Sequence, residues 1–387
     1  MERYGVIAIG YNRVKSMERL LNALKRADYK EKNVTLIISI DNSGVDDVID
    51  TAQNFNWEYG EKVVKTYSER QGLRAHILKC GSYIDEYNLD AVAVFEDDVF
   101  PSPAFFNYME QAVSYYKDDD NIAGISLYTH LWNVNASMPF QPSFNGFDNY
   151  FMCFAQSWGQ VWMRKQWQQF MEWYDKHDGD LSECQGVPQY VKSWPKSSWL
   201  KYHIAYCIEK KKYFVYPYES LSTCFTEQGE HSLEHITLHQ VPMVYNTNKK
   251  YNFVDLNNTT VRYDAYFERE NLSKYLNIND EEICIDLYGK KKNYENKRYW
   301  LTTVNEKYKV LRAFALELRP HEENIVEDIQ GLDIYLYDTS EVAKDSPINK
   351  YNILIYYFRL CRSGRWLIEY ALKQKGDSII KQLLSRK

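Results

Sequence analysis

Ala91-Val92-Ala93-Val94-Phe95-Glu96-Asp97-Asp98 is the stretch whose reading decides the fold. An apolar run of strand type stops at three consecutive carboxylates. Pro101 and Pro103 follow, then the helix-like Phe105-Phe106-Asn107-Tyr108-Met109. A parallel strand buried on both faces reads as such an unbroken apolar run. Ligands of open α/β sheets bind just outside the carboxyl ends of these strands. Three adjacent like charges repel unless something positive meets them. A divalent cation on oxygen ligands is one such partner, and it can bridge the phosphates of a nucleotide. The competing reading, an acidic cap on a strand end, has to be weighed against the rest of the chain.

Outward from this stretch the N-terminal half alternates strand and helix. Strands are predicted at 5–9, 34–40, 62–67 and 91–95. Helices are predicted from Val14, where Met17, Leu20, Leu21 and Leu24 recur at helical spacing, and over about 46–55 and 72–84. Short turns between such elements call for a mostly parallel sheet with right-handed crossovers. Neither Gly-x-Gly-x-x-Gly nor a P-loop is present, so no dinucleotide or P-loop fingerprint applies. Further on, a strand is expected at 122–127, a Pro/Asn/Ser-rich loop over 133–149, a helix over 164–174, a short strand at 212–216 and a flexible loop over 223–232. Strand candidates at 283–288, 311–318 and 332–337 follow. The expected organisation is an α/β catalytic domain over 1–245, a smaller α+β region over 246–345 and a helical tail over 346–387.

Composition bounds the function. The chain has 387 residues and a formal net charge of −6, which argues against nucleic acid as the main partner. No apolar run reaches the roughly 18 residues of a spanning helix. Seven cysteines, at 80, 153, 184, 207, 224, 284 and 361, form no Cys-x-x-Cys pair; they read as reduced thiols of a cytoplasmic protein. Tyr, Phe and Trp make up 16% of the chain, and aromatic faces can stack on sugar rings. Residues 349–387 carry nine basic and two acidic residues, a local +7, against 38 basic and 51 acidic elsewhere. Such asymmetry gives the tail a partner of its own. A basic, aromatic, amphipathic helix can lie on an anionic membrane surface; packing on its own domain is the other reading.

Taken together, these residues resemble the GT-A fold glycosyltransferases, especially the inverting N-acetylglucosaminyltransferase that begins complex N-glycans and its bacterial family-2-like relatives. The resemblance runs over about residues 5–235. It rests on Glu96-Asp97-Asp98 with the following Pro103-to-Tyr108 segment, the turn after the first strand, Asp41 at the end of the second, Gly72-Leu73-Arg74, and Trp158-Gly159. It implies a nucleotide-sugar donor, most simply UDP-linked with a hexosamine. It also implies Mn²⁺ or Mg²⁺ on Asp98, with Glu96 and Asp97 holding ribose, sugar and metal-bound water. Asp41 would bind uracil, while Tyr11, Arg13 and Arg74 would lie near base and phosphates. Trp158 and Gly159 would shape the sugar side, and His231 would reach diphosphate or metal from a loop closing over the donor.

One departure matters. The relative's catalytic base is an Asp in a Trp-Asp-Asp-Trp-like segment. The matching stretch here, Trp194-Pro195-Lys196-Ser197-Ser198-Trp199, has no carboxylate. Inverting transfer needs a base within hydrogen-bond reach of the acceptor hydroxyl. The candidates are Asp178, Asp180 and Glu183 upstream and Glu227 and Glu230 downstream, with Glu230 favoured. The acceptor implied is a glycan or lipid-linked glycan of surface-polysaccharide type, approached at the inner face of the cell membrane. The missing acid keeps open a non-catalytic nucleotide- or glycan-binding scaffold of a synthase complex. A sugar nucleotidyltransferase is disfavoured by the lack of a Gly-rich phosphate loop.

Overall fold

A computed structural model describes residues 2–177, 181–182, 184–225, 237–350 and 353–358. It divides into two compact units, 1–277 and 278–387. The first unit thus extends past residue 245, because a short strand at Arg262–Tyr263 still joins its sheet.

The first unit opens as the sequence predicts: β1 (Tyr4–Gly10), α1 (Val14–Lys25), β2 (Val34–Ile40), α2 (Asp46–Asn54), β3 (Lys62–Thr66), α3 (Leu73–Glu86) and β4 (Ala91–Glu96). These four strands are mutually parallel, with β1 between β2 and β4. Alternate residues Val6, Ala8, Leu36, Ile38, Ala93 and Phe95 enter one core with Met17, Leu20, Leu21 and Leu24 of α1. The residues between them, Ile7, Ile37, Val92 and Val94, are buried too. Burial on both faces is why β1, β2 and β4 read as continuous apolar runs, whereas the edge strand β3 is only half-buried.

Beyond β4 come β5 (Val99–Pro101), α4 (Phe105–Tyr116), β6 (Ile122–Ser126), the two-residue pair β7 (Trp132–Asn133) and β8 (Met138–Pro139), β9 (Asn149–Met152), β10 (Gln160–Met163), α5 (Arg164–His177), α6 (Gln189–Lys192), α7 (Leu200–Lys210), β11 (Tyr213–Pro217), β12 (Ser222–Cys224), β13 (Arg262–Tyr263) and α8 (Ser273–Leu276). One nine-stranded sheet results, in the order β13-β9-β11-β6-β10-β4-β1-β2-β3. Its fold class is α/β, mostly parallel and flanked by helices. The main reversal is β10, which runs antiparallel between β4 and β6. The residues before β10 therefore stand at the carboxyl ends of both neighbours. The loop expected from Thr223 begins as strand instead: β12 pairs antiparallel with β5, directly after the acidic residues.

The second unit holds a four-stranded sheet, β14 (Ile283–Asp286), β15 (Tyr299–Thr302), β16 (Tyr308–Phe314) and β17 (Ile334–Val342), in the order β14-β15-β17-β16. It also contains the short helices α9 (Glu323–Val326) and α10 (Ile353–Phe358). The strands expected at 311–318 and 332–337 are both present but shifted, because β16 and β17 pair over 308–314 and 334–342. Asp286 ends β14 and accepts N–H bonds from Lys290 and Lys291, which fixes the turn after it. The described part of the tail packs on this unit. Tyr356 is buried and its hydroxyl donates to the Leu318 carbonyl, while the Tyr357 ring stacks on Tyr288. Among the described residues no helix is long and apolar enough to cross a membrane.

Helices α3 and α5 meet where α3 has no side chain. A Cβ on Gly81 would lie 2.0 Å from the indole of Trp167. That indole is already stacked on Trp162 at 4.0 Å, so it has little room to withdraw. Gly81→Ala is therefore expected to destabilise the protein by about 1–3 kcal/mol, the usual cost of overpacking, despite alanine's better helix propensity. Urea unfolding of the two proteins checks this; an alanine variant of equal or greater stability would show that Trp167 slides aside.

Candidate functional site

The carboxyl edge of the central strands gathers the predicted residues in a row. Asp41 follows β2, Tyr11 and Arg13 follow β1, and Glu96, Asp97 and Asp98 end β4. Trp158 and Gly159 precede the reversed strand β10.

Arg13 is the counter-charge of the acidic triplet. Its Nε donates to Asp97 at 3.2 Å, its terminal nitrogen bonds the other Asp97 oxygen, and Asp98 lies 3.5 Å away. Burial disfavours the guanidinium charge, but Asp97 and then Asp98 outweigh it and hold the group firmly protonated. Asp97 is buried, whereas the Asp98 side chain is 36% exposed and faces solvent. Glu96 behaves differently. Burial first, then the charges of Asp98 and Asp97, push its carboxyl up to about 8, with Arg13 pulling the other way.

Asp41 is buried and committed to the backbone. Its oxygens accept N–H bonds from Asn42 (2.8 Å), Gln71 (2.7 Å) and Gly72 (2.9 Å). A carboxylate offers about four acceptor positions, so three are taken. The effect is to pin the loop that enters α3, where Gly72 adopts a φ of +79°, a region glycine enters without strain. Arg74, in the first turn of α3, donates to the Tyr202 hydroxyl at 2.8 Å, which ties it to α7. Arg70, which the sequence reading passed over, lies over the Tyr11 ring at 4.9 Å.

Trp158 and Gly159 are held by Gln156, whose amide donates to Ser126 Oγ and to the Gly159 carbonyl and accepts from the Trp158 N–H. Gly159 has a φ of +96°, and a Cβ there would come within 2.7 Å of Ser222 Oγ. The Trp158 ring stacks on His239 at 4.4 Å. It forms one wall of a cavity of about 270 Å³ that also reaches Glu96, Leu73 and the segment Trp194–Leu200. So the stretch that lacks the relative's carboxylate lines the same cavity as the acidic strand end, and among the described residues Glu96 is the one carboxylate that lines it. His130, His239 and Tyr190 also line it. No local pattern singles them out, since each gains meaning only from rings far away in sequence.

Glu230, His231 and Asp180 lie outside the described residues, as do Asp178, Glu183 and Glu227. Among the described residues no group of three His, Cys, Asp or Glu side chains could hold a metal ion by itself.

No protein-family model matches the chain, and no curated protein matches it. Solved structures do. A mannosyltransferase from Pyrobaculum calidifontis, in complex with GDP-Man and Mn²⁺, is 14% identical over 55% of this chain and 56% of its own, with a TM-score of 0.34. Residues 1–349 of S. aureus TarS, in complex with UDP-GlcNAc, are 14% identical over 59% of this chain and 60% of that one, with a TM-score of 0.37. A cytidylyltransferase from Leptospira borgpetersenii is 12% identical over 44% and 65%, with a TM-score of 0.26. The chain thus spans less than two thirds of each of these structures.

The raised Glu96 carboxyl has a consequence for stability. It titrates near 8 when folded and near 4.5 when free, so folding takes up a proton between these values. The stability this contributes is full below about pH 4.5 and is lost as pH rises through about 8. Glu96→Gln removes the titration. In EDTA, its melting midpoint relative to wild type is expected to rise steadily from pH 4.5 to 8.5; a constant difference across that range would show that Glu96 stays ionised.

Proposed function

We propose that the chain is a GT-A-type glycosyltransferase that moves a sugar from a nucleoside-diphosphate donor to a glycan acceptor. The observation that carries this reading is the order of groups along one sheet edge. An aromatic and backbone-lined end at Tyr11, Asp41 and Arg70 suits a base. Arg13 and the acidic triplet stand in the middle, where a diphosphate would lie. An aromatic cavity at the other end is large enough for a sugar ring. Ligands of open α/β sheets sit along this edge.

The donor set fits a hard divalent cation, Mn²⁺ or Mg²⁺, that arrives with its diphosphate. Asp98 is the exposed carboxylate able to hold it, with Asp97 beside it. Such ions take one or two carboxylates and complete their shell from phosphate and water. When bound, the cation offsets the charge of the departing nucleoside diphosphate. The chain's own contribution is position. Arg13 keeps the carboxylates of Asp97 and Asp98 together, and Asp41 pins the loop against which the base would lie. Gly159 lets the chain pass close under the sugar side, and the aromatic wall excludes water that would hydrolyse the donor. The finer reading is a UDP-linked hexosamine, inverting transfer with Glu230 as base, and a surface-polysaccharide acceptor met at an anionic membrane through residues 349–387. The carboxylate-free Trp194–Trp199 segment favours one rival, a non-catalytic nucleotide- or glycan-binding scaffold.

Calorimetric titration separates these. One of UDP, GDP or CMP is expected to bind in Mn²⁺ and to lose about tenfold or more of its affinity in EDTA or on Asp98→Ala, the scale of one lost charge-assisted contact. Absence of binding by all three would overturn the reading; binding without turnover of any sugar donor would leave the scaffold. Deleting 359–387, which spares the packed Tyr356 and Tyr357, is expected to abolish sedimentation with phosphatidylserine vesicles at low salt, while the melting midpoint of the remaining chain holds. Unchanged sedimentation would remove the membrane contact.

A further inference from the structure

Lys201, in the first turn of α7, is the one lysine fully buried among the described residues, at 7% exposure. Half-buried lysines elsewhere are matched. Lys62 donates to the carbonyls of Ala52, Gln53 and Phe55, and Lys249 pairs with Asp148 and Glu219. Among the described residues Lys201 has no such company. Its Nζ donates to the Trp194 carbonyl at 3.3 Å, whereas an ammonium carries three donors. The charges that act on it are those of Arg74 and Lys196; burial first, and then these two, make it easier to deprotonate than usual. Arg74 and Lys201 also share a ring, with the guanidinium carbon 5.2 Å and Nζ 5.4 Å from the centre of Tyr202. Pinning Trp194 takes one donor; it does not take a charge that two more cations oppose. A buried charge is costly unless it is paired.

The sequence around it leaves the imbalance uncorrected. Residues 184–208 hold three lysines and no Asp or Glu, although the chain as a whole has 53 acidic residues against 47 Lys and Arg. The three cations border the aromatic cavity through their chain neighbours: Leu73 beside Arg74, Pro195 and Ser197 around Lys196, Leu200 beside Lys201. The acidic strand end reaches that cavity through Glu96, while Arg13, Asp97 and Asp98 do not line it. The basic group therefore lies apart from the ion pair where a donor diphosphate would sit. A phosphate monoester brings a charge of about −1.5 to −2 on three acceptor oxygens; a carboxylate brings one charge on two. Three cations match the former.

We infer that Lys201, Lys196 and Arg74 form an anion site at the border of the cavity, and that the ligand it takes is a phosphate group carried by the acceptor. As an acceptor site this rests on the glycosyltransferase reading; as a phosphate site it does not.

The test uses the full chain with Mn²⁺, with and without saturating UDP. The probe is sn-glycerol 3-phosphate, with glycerol as the neutral control and glycerate as the carboxylate control, all followed by calorimetry. The phosphate is expected to bind about tenfold or more tightly than either control, with UDP present or absent, and to weaken as salt rises from about 50 to about 200 mM. Lys201→Met, which keeps the apolar stem, is expected to weaken it about tenfold, the scale of one lost charge-assisted contact. Lys196→Gln, at an exposed position, is expected to weaken it about threefold to fivefold, the upper range of an exposed ion pair. UDP affinity should be the same in both variants. If Lys201→Met does not fold, Lys196→Gln decides. No binding of the phosphate, equal binding of glycerate, or binding that Lys196→Gln leaves unchanged would overturn the site. Exclusion of the phosphate by UDP, with UDP affinity lost in the variants, would give the cations to the donor's diphosphate and overturn the acceptor assignment. Nucleotide binding without phosphate binding leaves the glycosyltransferase reading standing alone. Phosphate binding that needs Lys196, with no nucleotide bound, leaves the anion site alone.

Discussion

Three carboxylates on successive residues at the end of a buried strand must be neutralised locally, and Arg13 does this from the turn after the neighbouring strand. The ion pair needs β1 and β4 side by side and in register, and the ladder Tyr4↔Ala91 through Ile9↔Glu96 supplies that. Everything at the carboxyl edge is placed relative to this contact. The turn holding Tyr11 is fixed from one side, and the β5–β12 pair that follows the acids is fixed from the other. Burial, and then the charges of Asp98 and Asp97, push the Glu96 carboxyl up to about 8, and Arg13, ion-paired with Asp97, offsets this only in part.

Strands β1, β2 and β4 were legible because burial on both faces leaves no polar alternation to confuse the pattern. β1 to β4 and the helices between them lie within a residue or two of their expected limits. The site residues that were legible are those adjacent in sequence to strand ends: Asp41, Arg13 and the acidic triplet. The rest depends on distant partners. β9 and β10 are four residues each and pair across long stretches, so their apolar content alone does not separate them from loop. α7 carries Tyr, His and Cys inward, a mixture without the Leu/Met stripe that marks α1. His130 is one residue in a polar-looking turn until Phe154, Trp158 and Phe267 close around it. The tail reads as a membrane-seeking helix because its aromatic residues share a face; in the described turn, Tyr356 spends that face on its own unit.

The aromatic content, high for a chain of this size, has a division of labour. Most rings are ordinary core, as where Tyr29 packs between Trp57 and Phe106. A second set forms the lining beside Glu96, where rings meet open space. Among the core rings, the Tyr29 hydroxyl donates to the Leu24 carbonyl.

The reversed strand has an architectural consequence. In an all-parallel sheet the loops at the functional edge all follow strands, and each is bound to the helix that comes next. Because β10 enters the sheet from that edge, the stretch between Met152 and Gln160 belongs to no crossover. It is held instead by contacts of its own, from Gln156 to Ser126 Oγ and to the Gly159 carbonyl and from the Cys153 N–H to the Tyr263 carbonyl. Side-chain substitutions there would then change the width of the aromatic chamber, while the acidic strand and its arginine stay as they are.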